Sequence, residues 1–149
     1  MRIALGADHA GVNLKNAIAR RLEARGLTVT DFGTSTTESV DYPDFAARVA
    51  TEVAAGHVDR GILVCGSGIG MAIAANRFTG VRAAPVNDVA TARLSREHND
   101  ANVLALGERL TPPDVALDIV DTFIDTPFAG GRHERRVQKL DLVAGTPHP

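Results

Sequence analysis

Short apolar runs alternate along the chain with stretches whose apolar positions recur every three or four residues. Arg2 to Ala7 reads as a buried strand. Leu14, Ile18 and Leu22 follow at i, i+4 and i+8, one face of a helix that Gly26 ends. Leu27 to Asp31 is a second strand, and the polar stretch Gly33 to Ser39 a loop. Asp41 has the chemistry of an N-cap, with Pro43 in the first turn. Phe45, Val49 and Val53 then make a helical stripe up to Gly56. Gly61 to Cys65 is apolar throughout, as a strand covered on both faces is. A glycine-rich turn, a helix to Phe78, and a fourth strand over Val81 to Ala84 come next. A helix is predicted over Asp88 to Glu97 and a fifth strand over Val103 to Leu106. Pro112 and Pro113 open a helix striped by Val115, Ile119 and Phe123. After Gly130-Gly131 the basic segment Arg132 to Lys139 is predicted as a last helix, and Gly145 to Pro149 as a frayed tail.

Five strands alternating with helices predict an α/β fold, with right-handed crossovers and a parallel sheet covered on both faces. At 149 residues the chain is expected to form one domain, residues 1–149, with no linker, repeat or low-complexity tract. In such a fold ligands bind beyond the carboxyl ends of the strands. Those ends carry Asp8-His9, Cys65 to Gly70, Asn87-Asp88 and Gly107-Glu108-Arg109.

Composition narrows the function. With 44% hydrophobic and 23% charged residues the chain is of globular type. Sixteen basic against 18 acidic residues leave a formal charge of −2, so neither nucleic acid nor an anionic membrane is the expected partner. Aromatics are 4% with no Trp, which leaves little for base stacking. The lone cysteine excludes an internal disulfide and a multi-cysteine zinc site, and it fits a cytoplasmic location. No apolar run reaches the 18 residues of a transmembrane helix, and Met1 to Gly6 lacks the long apolar region of a signal peptide.

Four clusters could carry chemistry. In Cys65-Gly66-Ser67-Gly68-Ile69-Gly70, alternate glycines let a ligand approach the backbone at a helix start, where N–H groups are unpaired. Such a turn can stabilise an oxyanion and favours a thiolate base. The alternative is a buried cysteine beside a tight turn. Asp8-His9 can bind hydroxyls or phosphate, or else be an N-cap with an exposed histidine. His98-Asn99 can act on a ligand or simply end a helix. Arg132 and Arg136, four apart with His133 between them, suit a phosphate or a solvated basic helix end. The five histidines, 9, 57, 98, 133 and 148, show no metal-ligand spacing. A dinucleotide fingerprint over Gly66 to Gly70 is weakened by Met71, where Gly or Ala is wanted, although Asp88 keeps a small nucleotide-binding module open.

The order of these clusters is more specific than any one of them. Gly6-x-Asp8-His9-x-Gly11, Asp41-Tyr42-Pro43, Cys65-Gly66-Ser67-Gly68-x-Gly70, Ser95-Arg96-x-His98-Asn99-Asp100-x-Asn102-Val103 and Gly130-Gly131-Arg132-His133-x-x-Arg136-Val137 occur in one chain. That series resembles the type B ribose-5-phosphate isomerases, in the family shared with the galactose-6-phosphate isomerase subunits. The resemblance implies a three-layer Rossmann-like domain with strand order 2-1-3-5-4 and a homodimer or dimer of dimers. It implies aldose–ketose isomerisation of a phosphorylated sugar with no metal and no cofactor.

Carried onto this chain, the resemblance makes Cys65 the base between C2 and C1. Gly66, Ser67, Gly68, Ile69 and Gly70 would hold the enediolate oxygens. His98 would open the sugar ring and Asn99 would bind the sugar. Asp8, His9, Asp41 and Tyr42 would hold the substrate, and Arg109, Arg132 and Arg136 the phosphate. Family members without the cysteine use a Glu just after the glycine turn; here that position is Met71, so the chain resembles the cysteine type, with Ser67 where many members have Thr. The sugar itself is open among ribose 5-phosphate, allose 6-phosphate, galactose 6-phosphate and a tetrulose phosphate.

Geometry adds one expectation. Cys65 ends a strand, whereas His98 ends a crossover helix, which places them at opposite edges of the sheet. A helix of about ten residues is ~15 Å long. The site is therefore predicted to combine Cys65 of one subunit with His98 of another.

Overall fold

The computed structural model describes residues 1–143; the tail expected at 145–149 lies outside them. The strands are β1 (Arg2–Ala7), β2 (Thr28–Asp31), β3 (Arg60–Cys65), β4 (Ala83–Pro85) and β5 (Val103–Gly107). The helices are α1 (Val12–Ala24), α2 (Tyr42–Ala54), α3 (Ile69–Ala75), α4 (Val89–Asn99), α5 (Pro113–Asp125) and α6 (Glu134–Val143). Short 3-10 turns, His9–Gly11 and Gly131–His133, precede α1 and α6. All strand pairs are parallel, in the order β2-β1-β3-β5-β4. This is the expected α/β arrangement.

Strand alternation assigns the core to two layers. Ile3, Leu5, Ile62, Val64, Leu104 and Leu106 pack with Leu14, Ile18, Leu22, Ile119 and Phe123 of α1 and α5. Ala4, Leu63, Cys65, Val103 and Ala105 face Val49, Val53, Met71 and Ala75 of α2 and α3. Helix α2 packs closely on this face: a Cβ on Gly61 would lie 2.7 Å from Val49.

Several boundaries differ from expectation. The helix expected to run to Phe78 stops at Ala75, because the Asn76 side chain turns to bracket Ala83, accepting from its N–H at 2.7 Å and donating to its carbonyl at 2.9 Å. That bracket moves β4 from 81–84 to Ala83–Pro85; Pro85 is tolerated because β4 is an edge strand. The second strand begins at Thr28 rather than Leu27, whose N–H is drawn back to Leu22 at 3.1 Å. The basic segment splits into the 3-10 turn and α6, which runs on to Val143. Asp41 sits at the N-cap of α2, but its side chain caps nothing; its carbonyl accepts the Asp44 N–H instead. No helix among the described residues is long and apolar enough to cross a membrane.

Candidate active site

The carboxyl ends of β1, β3 and β5 converge. Cys65 closes β3 with its side chain nearly buried, and its sulfur accepts the Gly68 N–H at 3.1 Å. Gly68 has φ +79°, and a Cβ there would stand 2.9 Å from the Leu106 backbone, so only glycine permits the turn. Ser67 Oγ accepts the Ile69 N–H at 3.3 Å, while the Ile69 side chain is exposed. Among the described residues the N–H groups of Gly66, Ser67 and Gly70 have no protein acceptor. These are donors free to meet a ligand oxygen.

Neighbouring segments wall this turn. A Cβ on Gly70 would meet the Tyr42 ring at 2.6 Å, so that ring lies across the turn. The Arg109 guanidinium covers Gly66, whose Cβ position is 3.1 Å from Nη1. The loop after β5 is tied to the turn, since Glu108 N–H donates to the Cys65 carbonyl at 2.9 Å and Arg109 N–H to the Gly66 carbonyl at 3.2 Å.

The Asp8-His9 turn lies alongside. Asp8 N–H donates to the Val64 carbonyl at 3.2 Å. Gly11 abuts that same carbonyl, which its Cβ would approach to 2.6 Å. Asp8 is buried and caps the turn through Oδ1, which accepts the Ala10 N–H at 3.0 Å. One carboxylate oxygen is thus structural, as the N-cap alternative expected. His9 is half-buried rather than exposed, and its Nδ1 accepts the Val40 N–H at 3.1 Å.

His98 and Asn99 lie elsewhere, in the last turn of α4. Asp100, not Asn99, takes the left-handed cap, with φ 45° and ψ 43°. It is held by two arginines. Buried Arg96 donates to Asp100 Oδ1 at 2.7 Å and to the Ala101 carbonyl at 2.6 Å, and Arg82 donates to Asp100 Oδ2 at 3.1 Å. Arg96 also donates to the Thr126 carbonyl at 3.1 Å, and Ala129 N–H to the Glu97 carbonyl at 3.1 Å. These contacts fasten the segment before α6 to the end of α4. An open cleft results, lined by His98, Asn99, Arg132, His133 and Arg136. The rings of His98 and His133 stack in it. Desolvation, then His98, Arg132 and Arg136, push the His133 pKa below the usual histidine value.

The two groups of residues stand at opposite edges of the sheet. Gly61 N–H, at the start of β3, donates to the Asn102 carbonyl at 2.8 Å, just after α4. Cys65, at the end of β3, pairs with Gly107. Four residue steps separate the edges, about 13 Å at strand rise. Asp8, His9, Asp41, Tyr42, Cys65 to Gly70 and Arg109 therefore belong to one edge. His98, Asn99, Arg132 and Arg136 belong to the other. Arg109 does not join Arg132 and Arg136 within the chain.

Sequence reasoning missed the supports. Arg96 and Asp100 are four apart at a helix end, a spacing that signals a salt bridge. Arg82 and the Val40 amide carry no sequence signal, because only the tertiary fold brings them to their partners. Among the described residues no group of three or more His, Cys, Asp or Glu side chains could hold a metal ion.

Comparison with known proteins shows the family. The family model described as Ribose/Galactose Isomerase matches residues 3–140. Ribose-5-phosphate isomerase B of Escherichia coli K12 is 46% identical over 142 residues, 95% of each chain. The D-erythrulose-4-phosphate isomerase of Pectobacterium atrosepticum is 43% identical over 141 residues, 94% of this chain and 93% of its own. The solved structure of Clostridium thermocellum ribose-5-phosphate isomerase B superposes with a TM-score of 0.95 at 55% identity, covering 96% of this chain and 97% of that one. With most of its length matched by the family model and by these relatives, the chain belongs to the ribose/galactose isomerase family.

Proposed function

We propose that residues 1–149 form a single sugar-phosphate isomerase domain, a cytoplasmic enzyme interconverting ribose 5-phosphate and ribulose 5-phosphate. The observation that carries the reading is the Cys65 sulfur beside a glycine turn with unused N–H donors. In the open-chain aldose, a Cys65 thiolate takes the C2 proton and the electron pair forms the C1–C2 double bond of an enediolate. Gly66 to Gly70 and Ser67 bear its oxygen charge. The carbon-bound proton returns to C1 while the C2 hydroxyl proton passes to the C1 oxygen, so that C2 becomes the ketone carbonyl and C1 a hydroxymethyl group.

His98 of a neighbouring subunit opens the ring, and Asn99 beside it binds the sugar. Arg132 and Arg136 come from that subunit, and Arg109 from the one that supplies Cys65; together they anchor the phosphate. Asp8, His9, Asp41 and Tyr42 hold the hydroxyl end. The separation of Cys65 from His98 in one chain supports a site completed by a second copy, because proton transfer requires hydrogen-bond contact.

A second reading, isomerisation of a tetrulose phosphate, is favoured by the Pectobacterium relative. Purified protein assayed against ribose 5-phosphate, erythrulose 4-phosphate, allose 6-phosphate and galactose 6-phosphate separates the readings. The highest kcat/KM is expected for ribose 5-phosphate. A higher value for another sugar phosphate transfers the function to it. No turnover, with thermal stabilisation by NAD or ATP alone, would identify a nucleotide-binding module.

A further inference from the structure

We propose that the 33–40 loop is a tautomer lock for His9. The loop is pinned at both ends. At its start, Asp31 pairs with the buried Lys15 ammonium through Oδ2 and accepts the Gly33 N–H through Oδ1 at 2.8 Å. Thr34 N–H donates to the Ala7 carbonyl at 3.1 Å, one residue before the Asp8-His9 turn. At its end, Val40 N–H donates to His9 Nδ1 at 3.1 Å. A backbone N–H cannot accept, so Nδ1 must keep its lone pair and the neutral ring carries its proton on Nε2.

Among the described residues Nε2 has no protein partner. His9 therefore offers its ligand a donor and cannot serve as a base from that nitrogen. It is suited to an oxygen acceptor, which in the functional reading above, on which this step rests, is an oxygen of the sugar phosphate. Val40 is then a positioning residue, acting on substrate only through His9.

Nitrogen-15 histidine NMR of the assembled, ligand-free enzyme at pH 8 tests the lock without any substitution, with His9→Gln used to assign the ring. The expected pattern is a protonated Nε2 and an unprotonated Nδ1. A protonated Nδ1 overturns the proposal. Val40→Pro removes the N–H; mixed tautomers are expected, with KM for ribose 5-phosphate raised about three- to tenfold and kcat changed less than twofold. An unchanged tautomer in a folded Val40→Pro protein overturns the lock.

Should Val40→Pro fail to fold, His9→Gln and His9→Asn replace it. A Gln amide can reproduce the Nε2 donor, whereas an Asn oxygen can reproduce the Nδ1 acceptor. KM is expected to rise less in His9→Gln than in His9→Asn, and the reverse order overturns the donor role. The two readings fail separately. A protonated Nε2 in a protein that does not turn over ribose 5-phosphate supports the lock and rejects ribose 5-phosphate as the substrate. Turnover with a protonated Nδ1 rejects the lock alone.

Discussion

The rings of His98 and His133 stack with centroids 4.3 Å apart and planes 14° from parallel. Desolvation first, and then the neighbouring His98 ring and the Arg132 and Arg136 guanidiniums, disfavour the charged form of His133 and lower its pKa. A base with a lowered folded pKa stabilises the fold above the ordinary histidine range and loses that contribution as pH falls through its folded value. NMR titration is therefore expected to give His133 a midpoint below about 6.5. Inorganic phosphate should raise that midpoint by supplying an anion to the cleft. If phosphate leaves the His133 midpoint where it was, the cleft is not an anion site.

Replacing Cys65 by Ala removes the sulfur while keeping the glycine turn. Turnover is expected to fall by about 10²–10⁴-fold or more, with far-UV dichroism and phosphate binding retained. Incorporation of solvent deuterium into substrate carbon should vanish in parallel. Near-normal turnover in this variant would move the base elsewhere.

Arg132→Ala and Arg136→Ala should each weaken substrate by roughly 1.5–3 kcal/mol, the value of a charge-assisted contact. Steady-state kinetics would register this mainly in KM, with a fall in kcat where phosphate binding also orients the sugar. Two variants with wild-type KM would mean that the basic cleft is solvated surface.

Subunit complementation checks the shared site. Cys65→Ala and His98→Ala should each be inactive alone. Unfolded together and reassembled at random, about half the dimers are mixed, and each has one intact site, so about a quarter of wild-type activity returns. No recovery, with mixed dimers demonstrated, would assign both residues to one chain's site.

Away from the site, Arg2 holds Asp59 through its backbone N–H at 2.7 Å and its guanidinium at 2.9 Å, and the Asp59 pKa falls to about 2. The side chains are 52% and 40% exposed, so solvent screens most of the effect. A lowered carboxyl pKa stabilises above the unfolded value and is lost as pH falls through the folded one. Asp59→Asn is expected to cost less than about 1 kcal/mol at pH 7 in urea unfolding, with the difference shrinking between about pH 4 and 2. A cost that persists unchanged at pH 2 would show that charge is not its source.

Local chemistry made much of this protein legible in its sequence. The apolar run ending at Cys65 could only be a covered strand, and the stripe of Val115, Ile119 and Phe123 could only bury one helix face. Both patterns follow from backbone periodicity, which acts over a few residues. The family resemblance added the strand order and named the candidate site residues, because five ordered motifs lie in one chain. Boundaries failed where a side chain reached a distant backbone. Asn76 cut α3 short by bonding Ala83, and Arg82 reached the carbonyl of Asp100 at the cap of α4.

Only tertiary structure decided which candidates stand together. It put Arg109 over Gly66, gathered His98 with Arg132 and Arg136 at the other edge, and brought the Val40 amide to His9. Those pairings join residues far apart in the chain, or use a backbone N–H that almost every residue carries. No local pattern encodes them, because they exist only once the two layers have closed over the sheet and fixed where each loop emerges.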